Sequence, residues 1–257
     1  MGEVVKISGL IIAYNEAANI VRCIKSLQGI CDEVIVVDSF STDNTKALSL
    51  EAGATVIENA FGGHIEQKNF AISQAKYAAV LSLDADEALS EELQKSILAV
   101  KQNFTADAYM FNRYNNYCGQ WINHCGWYPD AKIRLLKKEK GKWGGTNPHD
   151  CIEMESKASV EKIKGNLLHY SYSTMEEHIL RSMKYAKISA LAMHKQNRNA
   201  SFFKMVSSSC FRFTQDYFFK LGFLDGFYGL VICATNGYTS FLKYAYLRNL
   251  NQGKSID

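Results

Sequence analysis

The chain has 257 residues, 47% of them hydrophobic, so it is long enough to bury a large core in one domain or in a domain with an appendage. Its net charge of +3 is too small to indicate a nucleic-acid-binding protein. No apolar run reaches the length of about 18 residues that predicts a transmembrane helix. The first residues lack a signal-peptide pattern, and seven cysteines without a Cys-x-x-Cys pair are typical of reduced cytoplasmic thiols.

Strands and helices alternate four times in the first part of the chain. Each apolar run is bounded by a polar turn, and each intervening segment has apolar residues at helical spacing, such as Ile20, Ile24 and Leu27. This alternation predicts an α/β fold with a mostly parallel sheet and helices on both faces. The predicted strands are residues 5–13, 33–38, 54–57 and 79–84.

The pattern changes after residue 107. Residues 108–118 and 132–136 read as strands, and 167–170 as a last short strand. Thr174 with Glu177 three residues later resembles a capping box, and the chain from there is predicted to be helical. We therefore divide the chain into an α/β domain, 1–173, and a helical region, 174–257.

Polar residues follow three of the predicted strands. Tyr14-Asn15-Glu16 ends the first, Asp38 ends the second, and Asp84-Ala85-Asp86 ends the fourth. Because parallel sheets bind ligands at the carboxyl ends of their strands, we expect these groups to converge. Two carboxylates separated by one residue also suit a hard divalent cation.

These stretches resemble the inverting glycosyltransferases of family 2, which have the GT-A fold, and within them the lipopolysaccharide-core glucosyltransferase branch. Such enzymes use a nucleotide-sugar donor, so the resemblance implies UDP-hexose as donor and a cell-surface glycolipid or polysaccharide precursor as acceptor. The resemblance rests on residues 11–16, 33–39 with 41–43, 67–69, 83–87, 126–130 with Arg134, 143–145, and His149-Asp150.

The resemblance assigns the donor site residue by residue. Asp38 is expected to accept a hydrogen bond from uracil, with Tyr14, Asn15 and Glu16 around the nucleoside. Lys68 is either a partner of the diphosphate, near a helix N-terminus, or a solvated surface lysine. Arg134 is either a partner of a carboxylate or the diphosphate, or a structural ion pair.

A divalent metal is expected to neutralise the leaving diphosphate as a Lewis acid. The predicted ligands are Asp84 and Asp86, with His169 as a third candidate. For Asp84, a contact with the ribose of the donor is the alternative role. Oxygen ligands suit Mg²⁺ and Mn²⁺ equally, so both remain candidates.

Inversion requires a base that removes the proton of the acceptor hydroxyl. We predict Asp150 in this role, with His149 orienting it; Asp130 is the alternative. Many relatives carry His-Glu where this chain has His149-Asp150, and the shorter side chain reaches less far. A polyprenyl-phosphate sugar synthase, whose acceptor needs no strong base, is the rival function, and a non-catalytic scaffold is a further one.

The helical region is rich in aromatic residues, with lysine and arginine interleaved. Two interpretations are open: peripheral attachment to the inner face of the cytoplasmic membrane, or a packed helical hairpin at a homodimer interface.

Overall fold

The computed structural model describes residues 4–146 and 149–256. The chain forms two compact units: the first contains the residues up to 114 and 130–169, and the second contains 115–129 and 170 onward. The predicted boundary at 174 lies close to the observed one. Residues 115–129, however, belong to the second unit, because Tyr117, Ile122 and Cys125 pack with Ile232 and Cys233.

The first unit is built on a mixed sheet. Its strands form where β-branched and aliphatic residues are flanked by polar turns, as predicted for 7–13, 33–38 and 79–84. The strands along the chain are β1 (Ile7–Ala13), β2 (Glu33–Asp38), β3 (Thr55–Glu58), β4 (Ala79–Asp84), β5 (Glu87–Leu89), β6 (Ala108–Tyr117), β7 (Gln120–Trp121), β8 (Asp130–Lys137), β9 (Gly141–Thr146), β10 (His149–Met154) and β11 (Val160–Tyr172).

Helices connect the parallel strands and make up most of the chain after β11. Several begin at a side-chain cap: Ser90 accepts a hydrogen bond from the backbone N–H of Leu93, and Thr174 accepts one from that of Glu177, as its capping-box pattern predicts. The helices are α1 (Ile20–Leu27), α2 (Thr45–Glu51), α3 (His64–Gln74), α4 (Glu91–Gln102), α5 (Met175–Lys195), α6 (Phe202–Thr214) and α7 (Gly226–Asn251).

Within the described residues, the large sheet has the order β3-β2-β1-β4-β8-β6-β11-β5, with β7 beside β6. The first four strands of this order pair in parallel. The rest brings in antiparallel pairs, β4 with β8, β8 with β6, and β11 with β5. The register sets Ala13 opposite Asp38 and Ile12 opposite Asp84, so both predicted acids flank the carboxyl end of β1.

The sheet is covered on both faces, as the alternation predicts. Ile7 and Ile11 of β1 point into a core shared with α1 and α4, whereas Leu10, between them in the chain, points into a second core shared with α3. This period of two along the strand is what places successive side chains on opposite faces. The predicted α/β fold of the GT-A kind is therefore confirmed, with a sheet that is parallel in one part and antiparallel in the other.

Candidate functional site

The loops that follow β1 and β2 are joined by hydrogen bonds. Asn15 donates its backbone N–H to Ser41 Oγ (2.9 Å), and its side-chain oxygen accepts from the backbone N–H of Thr42 (2.8 Å). The backbone N–H of Glu16 donates to Thr45 Oγ1 (2.7 Å). The predicted nucleoside residues Tyr14, Asn15 and Glu16 thus form one wall with the loop after β2. Tyr14 presents an exposed ring there.

Asp38 lies beneath this wall and is fully buried, with 0% of its surface exposed. Its two carboxylate oxygens accept hydrogen bonds from the backbone N–H (2.8 Å) and the hydroxyl of Ser41. Asp38 therefore shapes the turn that follows β2. Its predicted contact with uracil stays a prediction. For that contact, Ser41 would have to give up one of its hydrogen bonds to Asp38, or one Asp38 oxygen would have to accept from both Ser41 and uracil.

Lys68 is buried, with 3% of its side chain exposed, so the alternative of a solvated surface lysine is wrong. Helix α3 directs it to the end of the sheet, where its ammonium group lies 2.8 Å from Asp84 Oδ1 and 2.7 Å from Asp150 Oδ2. One cation thus links the end of β4 to the strand β10. The two acids were assigned different roles from the sequence, and the fold brings them to the same lysine.

Arg134, on β8, is the second buried cation. Its Nη2 lies 3.3 Å from Asp84 Oδ2 and 2.9 Å from Glu87 Oε1. Glu87 is wholly buried, and its other oxygen accepts from the backbone N–H of Asp84 (2.9 Å). Arg134 thus pairs with two carboxylates, and its predicted contact with the diphosphate stays a prediction. Glu87 was not among the predicted site residues, although its position directly after Asp86 was the available signal.

These charges perturb one another. Burial opposes ionisation of Asp84, but Lys68 and Arg134 outweigh it and hold the pKa of Asp84 well below its usual range. Burial likewise opposes the charge of Arg134, and Glu87 and Asp84 more than offset this, which raises the pKa of Arg134. Asp84 is therefore a carboxylate that is ionised at neutral pH and lies between two cations.

Trp143, on β9, lies against both cations. Lys68 Nζ is 4.1 Å from the centre of the ring, and the Arg134 guanidinium carbon is 5.1 Å from it. Asn69, next to Lys68 on α3, holds the Trp143 backbone through both its N–H (3.0 Å) and its carbonyl (2.9 Å). Within the described residues, the buried Trp143 Nε1 and Arg134 Nε have no hydrogen-bond partner.

Asp86 and His169 form the other part of the candidate metal site. His169 Nε2 lies 3.2 Å from Asp86 Oδ2, because antiparallel pairing sets His169 of β11 opposite Glu87 of β5. A carboxylate and an imidazole side by side suit Mn²⁺ or Mg²⁺. Among the described residues, no three such side chains form a ready-made metal cluster. Asp84 faces Lys68 and Arg134, whereas Asp86 lies beside His169. Metal binding by these residues stays a prediction.

The candidate base Asp150 borders a cavity of about 530 Å³ at the end of the sheet. Lys68, Asp84, Arg134 and Trp143 line the same cavity. Asp130, the alternative base, is not among the residues lining it. It is engaged by Arg113 (2.9 Å) and Lys132 (3.0 Å). The side chain of His149 lies outside the described residues, so its predicted role stays a prediction.

The chain is similar to known glycosyltransferases over almost its whole length. It is 32% identical to an uncharacterised glycosyltransferase of Rickettsia typhi, a match that covers 96% of this chain and 88% of the relative. It is 28% identical to the lipopolysaccharide core biosynthesis glycosyltransferase LpsC of Rhizobium meliloti, covering 93% of this chain and 90% of the relative.

A solved structure also matches in part. This is the glucosyl-3-phosphoglycerate synthase of Mycobacterium tuberculosis, crystallised with Mn²⁺ and UDP, at 22% identity and a TM-score of 0.36 over 44% of each chain.

Residues 8–163 match the family model described as glycosyl transferase family 2, and this match spans more than half of the sequence. The chain therefore belongs to glycosyl transferase family 2.

Proposed function

We propose that this glycosyltransferase moves a hexose from a UDP-sugar to a hydroxyl group of a cell-envelope glycolipid precursor such as lipopolysaccharide core, with inversion at the anomeric carbon. The observation that carries the proposal is the cavity at the carboxyl ends of the parallel strands, where Asp150 shares Lys68 with Asp84. The LpsC relative, which acts in lipopolysaccharide core biosynthesis, supports the choice of acceptor.

The residues divide the work between the two sides of the reaction. Asp150 takes the proton of the acceptor hydroxyl, whose oxygen then bonds to the anomeric carbon. The bond from that carbon to the diphosphate oxygen breaks, and UDP leaves with the electron pair. Lys68, 2.7 Å from Asp150 Oδ2, holds the carboxylate of this base at the cavity.

The leaving group gains charge as it departs. Lys68, Arg134 and Trp143 line the cavity, so the two fixed cations can stabilise this charge without reorganising. Asp86 and His169 would hold a divalent metal, and when bound this ion supplies Lewis-acid neutralisation of the diphosphate. Their carboxylate and imidazole groups fit that role.

The donor is tested by a panel of nucleotide sugars, with Mn²⁺ or Mg²⁺, scored by thermal stabilisation of the protein. A saturating ligand at 100 times its Kd stabilises the fold by about 2.7 kcal/mol, so UDP-hexose should give a clear shift. Stabilisation by another nucleotide and not by UDP would show that the assignment of Asp38 to uracil is wrong.

The base is tested with Asp150→Asn, which keeps the shape of the side chain. Transfer to a hydroxyl acceptor should fall by about 10²–10⁴-fold while binding of UDP is retained. Asp130→Asn, outside the cavity lining, is the matched control and should keep most of the activity. Near-full activity of Asp150→Asn would instead favour a lipid-phosphate acceptor and a polyprenyl-phosphate sugar synthase.

The metal site is tested by titrating Mn²⁺ into the protein in the presence of UDP and following the free ion by electron paramagnetic resonance. Asp86→Asn and His169→Ala should each weaken Mn²⁺ binding. His194→Ala changes an exposed histidine at the end of α5 and should not. Equal affinity in all three variants would exclude Asp86 and His169 as ligands.

We also propose a cytoplasmic location. All seven cysteines are free thiols, which is typical of a reducing compartment.

A further inference from the structure

A short turn between α6 and α7 carries an unusual number of exposed apolar side chains. We call residues 218–227 the aromatic turn. Phe219 is 80% exposed and Phe227 is 66% exposed. A contiguous apolar surface of this kind marks an interaction site in a folded protein. The other large apolar residues that the turn exposes are Phe218, Leu221, Phe223 and Leu224.

The buried carboxylate of Asp216 stabilises the aromatic turn. Asp216 is fully buried; its Oδ1 lies 2.9 Å from Lys220, and its Oδ2 lies 2.8 Å from Arg212 and accepts from the side chain of Asn236 on α7 (2.9 Å). The buried carboxylate thus ties the end of α6 to α7 and to the first residues of the turn. The exposed rings are therefore presented on a structured support.

Helix α6, which precedes the turn, also exposes aromatic side chains. Phe202, Phe203 and Phe211 on this helix are each about two-thirds exposed or more. Phe202 and Phe203 form its first turn, next to the exposed Lys204.

The charge around the apolar surface has one sign. In the described residues 202–256, the acids are Asp216 and Asp225, and both are buried. Lysine and arginine side chains remain at the surface of α6, α7 and the chain end. Each basic residue near an anionic bilayer contributes about 1 kcal/mol of attraction. The five cations that are not fully buried and lie outside the aromatic turn are Lys204, Arg212, Lys243, Arg248 and Lys254.

The aromatic turn lies between two apolar helical stretches. No single helix among the described residues is long and apolar enough to cross a membrane. The stretch Phe202–Phe219 and the stretch Gly222–Asn251 reach that length and composition only together, and they meet at a bend of 71°. The aromatic turn lies at this bend, where the two stretches meet, and it exposes its apolar side chains there.

We propose that the aromatic turn inserts into the surface of a bilayer that contains anionic phospholipids, with the cations of α6 and α7 against the headgroups. A second copy of the chain is a poorer occupant. A two-fold contact places the same patch on both partners, and the described residues 202–256 supply no exposed carboxylate to pair with the cations of the other copy. The proposal concerns lipid and uses no property of the transfer reaction.

The experiment is co-sedimentation of the full chain with vesicles of phosphatidylcholine alone or of phosphatidylcholine with phosphatidylglycerol, without any sugar donor. We expect binding to the anionic vesicles that weakens with added salt. Phe219→Ser with Phe227→Ser should reduce this binding by at least about tenfold, because two large apolar side chains would no longer be buried in the bilayer. Leu50→Ser, an exposed apolar residue of α2 in the first unit, is the matched control and should bind like the wild type.

A second variant tests the charge. Lys204→Glu should weaken binding to anionic vesicles. Because both the serine and glutamate changes are at exposed positions, circular dichroism and the midpoint of thermal unfolding should match the wild type. Wild-type protein that fails to bind anionic vesicles, or serine variants that bind equally well, would overturn the proposal. A wild-type dimer that the serine substitutions convert to a monomer would also overturn it, since the occupant would then be a second chain.

Discussion

At the scale of single residues, the site is organised by Lys68. Its ammonium group pairs with Asp84, at the end of the parallel strand β4, and with Asp150, on β10. Trp143 packs against it on a third side. A buried cation with this set of partners is costly to remove, because the carboxylates it leaves behind lose their compensation. Lys68 therefore contributes to the stability of the site, and in the proposed reaction its charge faces the diphosphate of the donor.

The first prediction concerns Lys68→Met, which keeps the apolar stem and removes the charge. We expect kcat for sugar transfer to fall by about 100-fold, as when a preorganised electrostatic donor is lost. The control is Lys101→Met, because Lys101 is also buried and paired, with Asp32 (2.7 Å), but lies on α4 in the core. Both variants should lose stability, and only Lys68→Met should lose kcat per folded molecule. Equal kcat in the two variants would contradict the role of Lys68.

The second prediction concerns pH. The pKa of Asp84 is lowered in the folded state, so the unfolded chain binds more protons at this residue. The stabilisation is complete above the unfolded value of about 4 and is lost as the pH falls through the lower folded value. Denaturant unfolding should therefore show a free energy that decreases as the pH falls below about 4. Asp84→Asn should make this decrease shallower, and an unchanged slope would argue against the ion pairs.

At the scale of elements, three consecutive residues of α3 contact three different parts of the fold. Gln67 is buried and donates to Ser39 after β2 (3.0 Å), Lys68 enters the cavity, and Asn69 holds the backbone of Trp143 on β9. Successive helix residues point in directions about 100° apart, which lets one turn reach three neighbours. The stretch 67–69 was recognised from the sequence as part of the family resemblance, but the division of its roles depends on which strands surround the helix.

The third prediction concerns this connection between α3 and β9. Asn69→Ala removes both hydrogen bonds to Trp143 and leaves a backbone N–H and carbonyl without them. We expect a loss of about 1–3 kcal/mol in the free energy of unfolding, together with weaker UDP binding as Trp143 loses its position. Ser73→Ala on the same helix, whose exposed hydroxyl bonds to the carbonyl of Phe70 and to the side chain of Gln74, should have little effect on either measurement. If UDP affinity is unchanged in Asn69→Ala, Trp143 does not serve the donor site.

At the scale of the whole molecule, the chain forms two compact units, and each closes on contacts between residues far apart in sequence. In the second unit, α7 packs against the short 3-10 helix Gly222–Asp225 that precedes it. The approach is close: a Cβ added at Gly229 would lie 1.9 Å from the backbone oxygen of Gly222. Gly229 is therefore required by packing, although it lies within a helix, where glycine is otherwise unfavourable.

The fourth prediction uses this difference within α7. Gly229→Ala should destabilise the protein by about 3 kcal/mol or more, since the new methyl group overlaps a backbone atom. Gly237→Ala is the matched control on the same helix, because its added Cβ would come no closer than 3.3 Å to its neighbours. The gain of up to about 1 kcal/mol from helix propensity should roughly offset that tighter contact. Thermal unfolding of the two variants measures the difference, and equal midpoints would contradict the packing argument.

The sequence by itself determined the alternating α/β pattern, the acids at the strand ends and the family, because strand and helix periods and strand-end polarity are local properties of the chain. Lys68 is the clearest case of what local pattern leaves open: near the start of a helix it has the same sequence appearance whether solvated or buried, and only the arrival of β4 and β10 makes it the centre of an ion-pair cluster. Likewise, only the antiparallel pairing of β5 with β11 sets His169 beside Asp86. Pairing between distant segments depends on how the whole sheet assembles, so the tertiary structure alone decided which of the predicted residues meet.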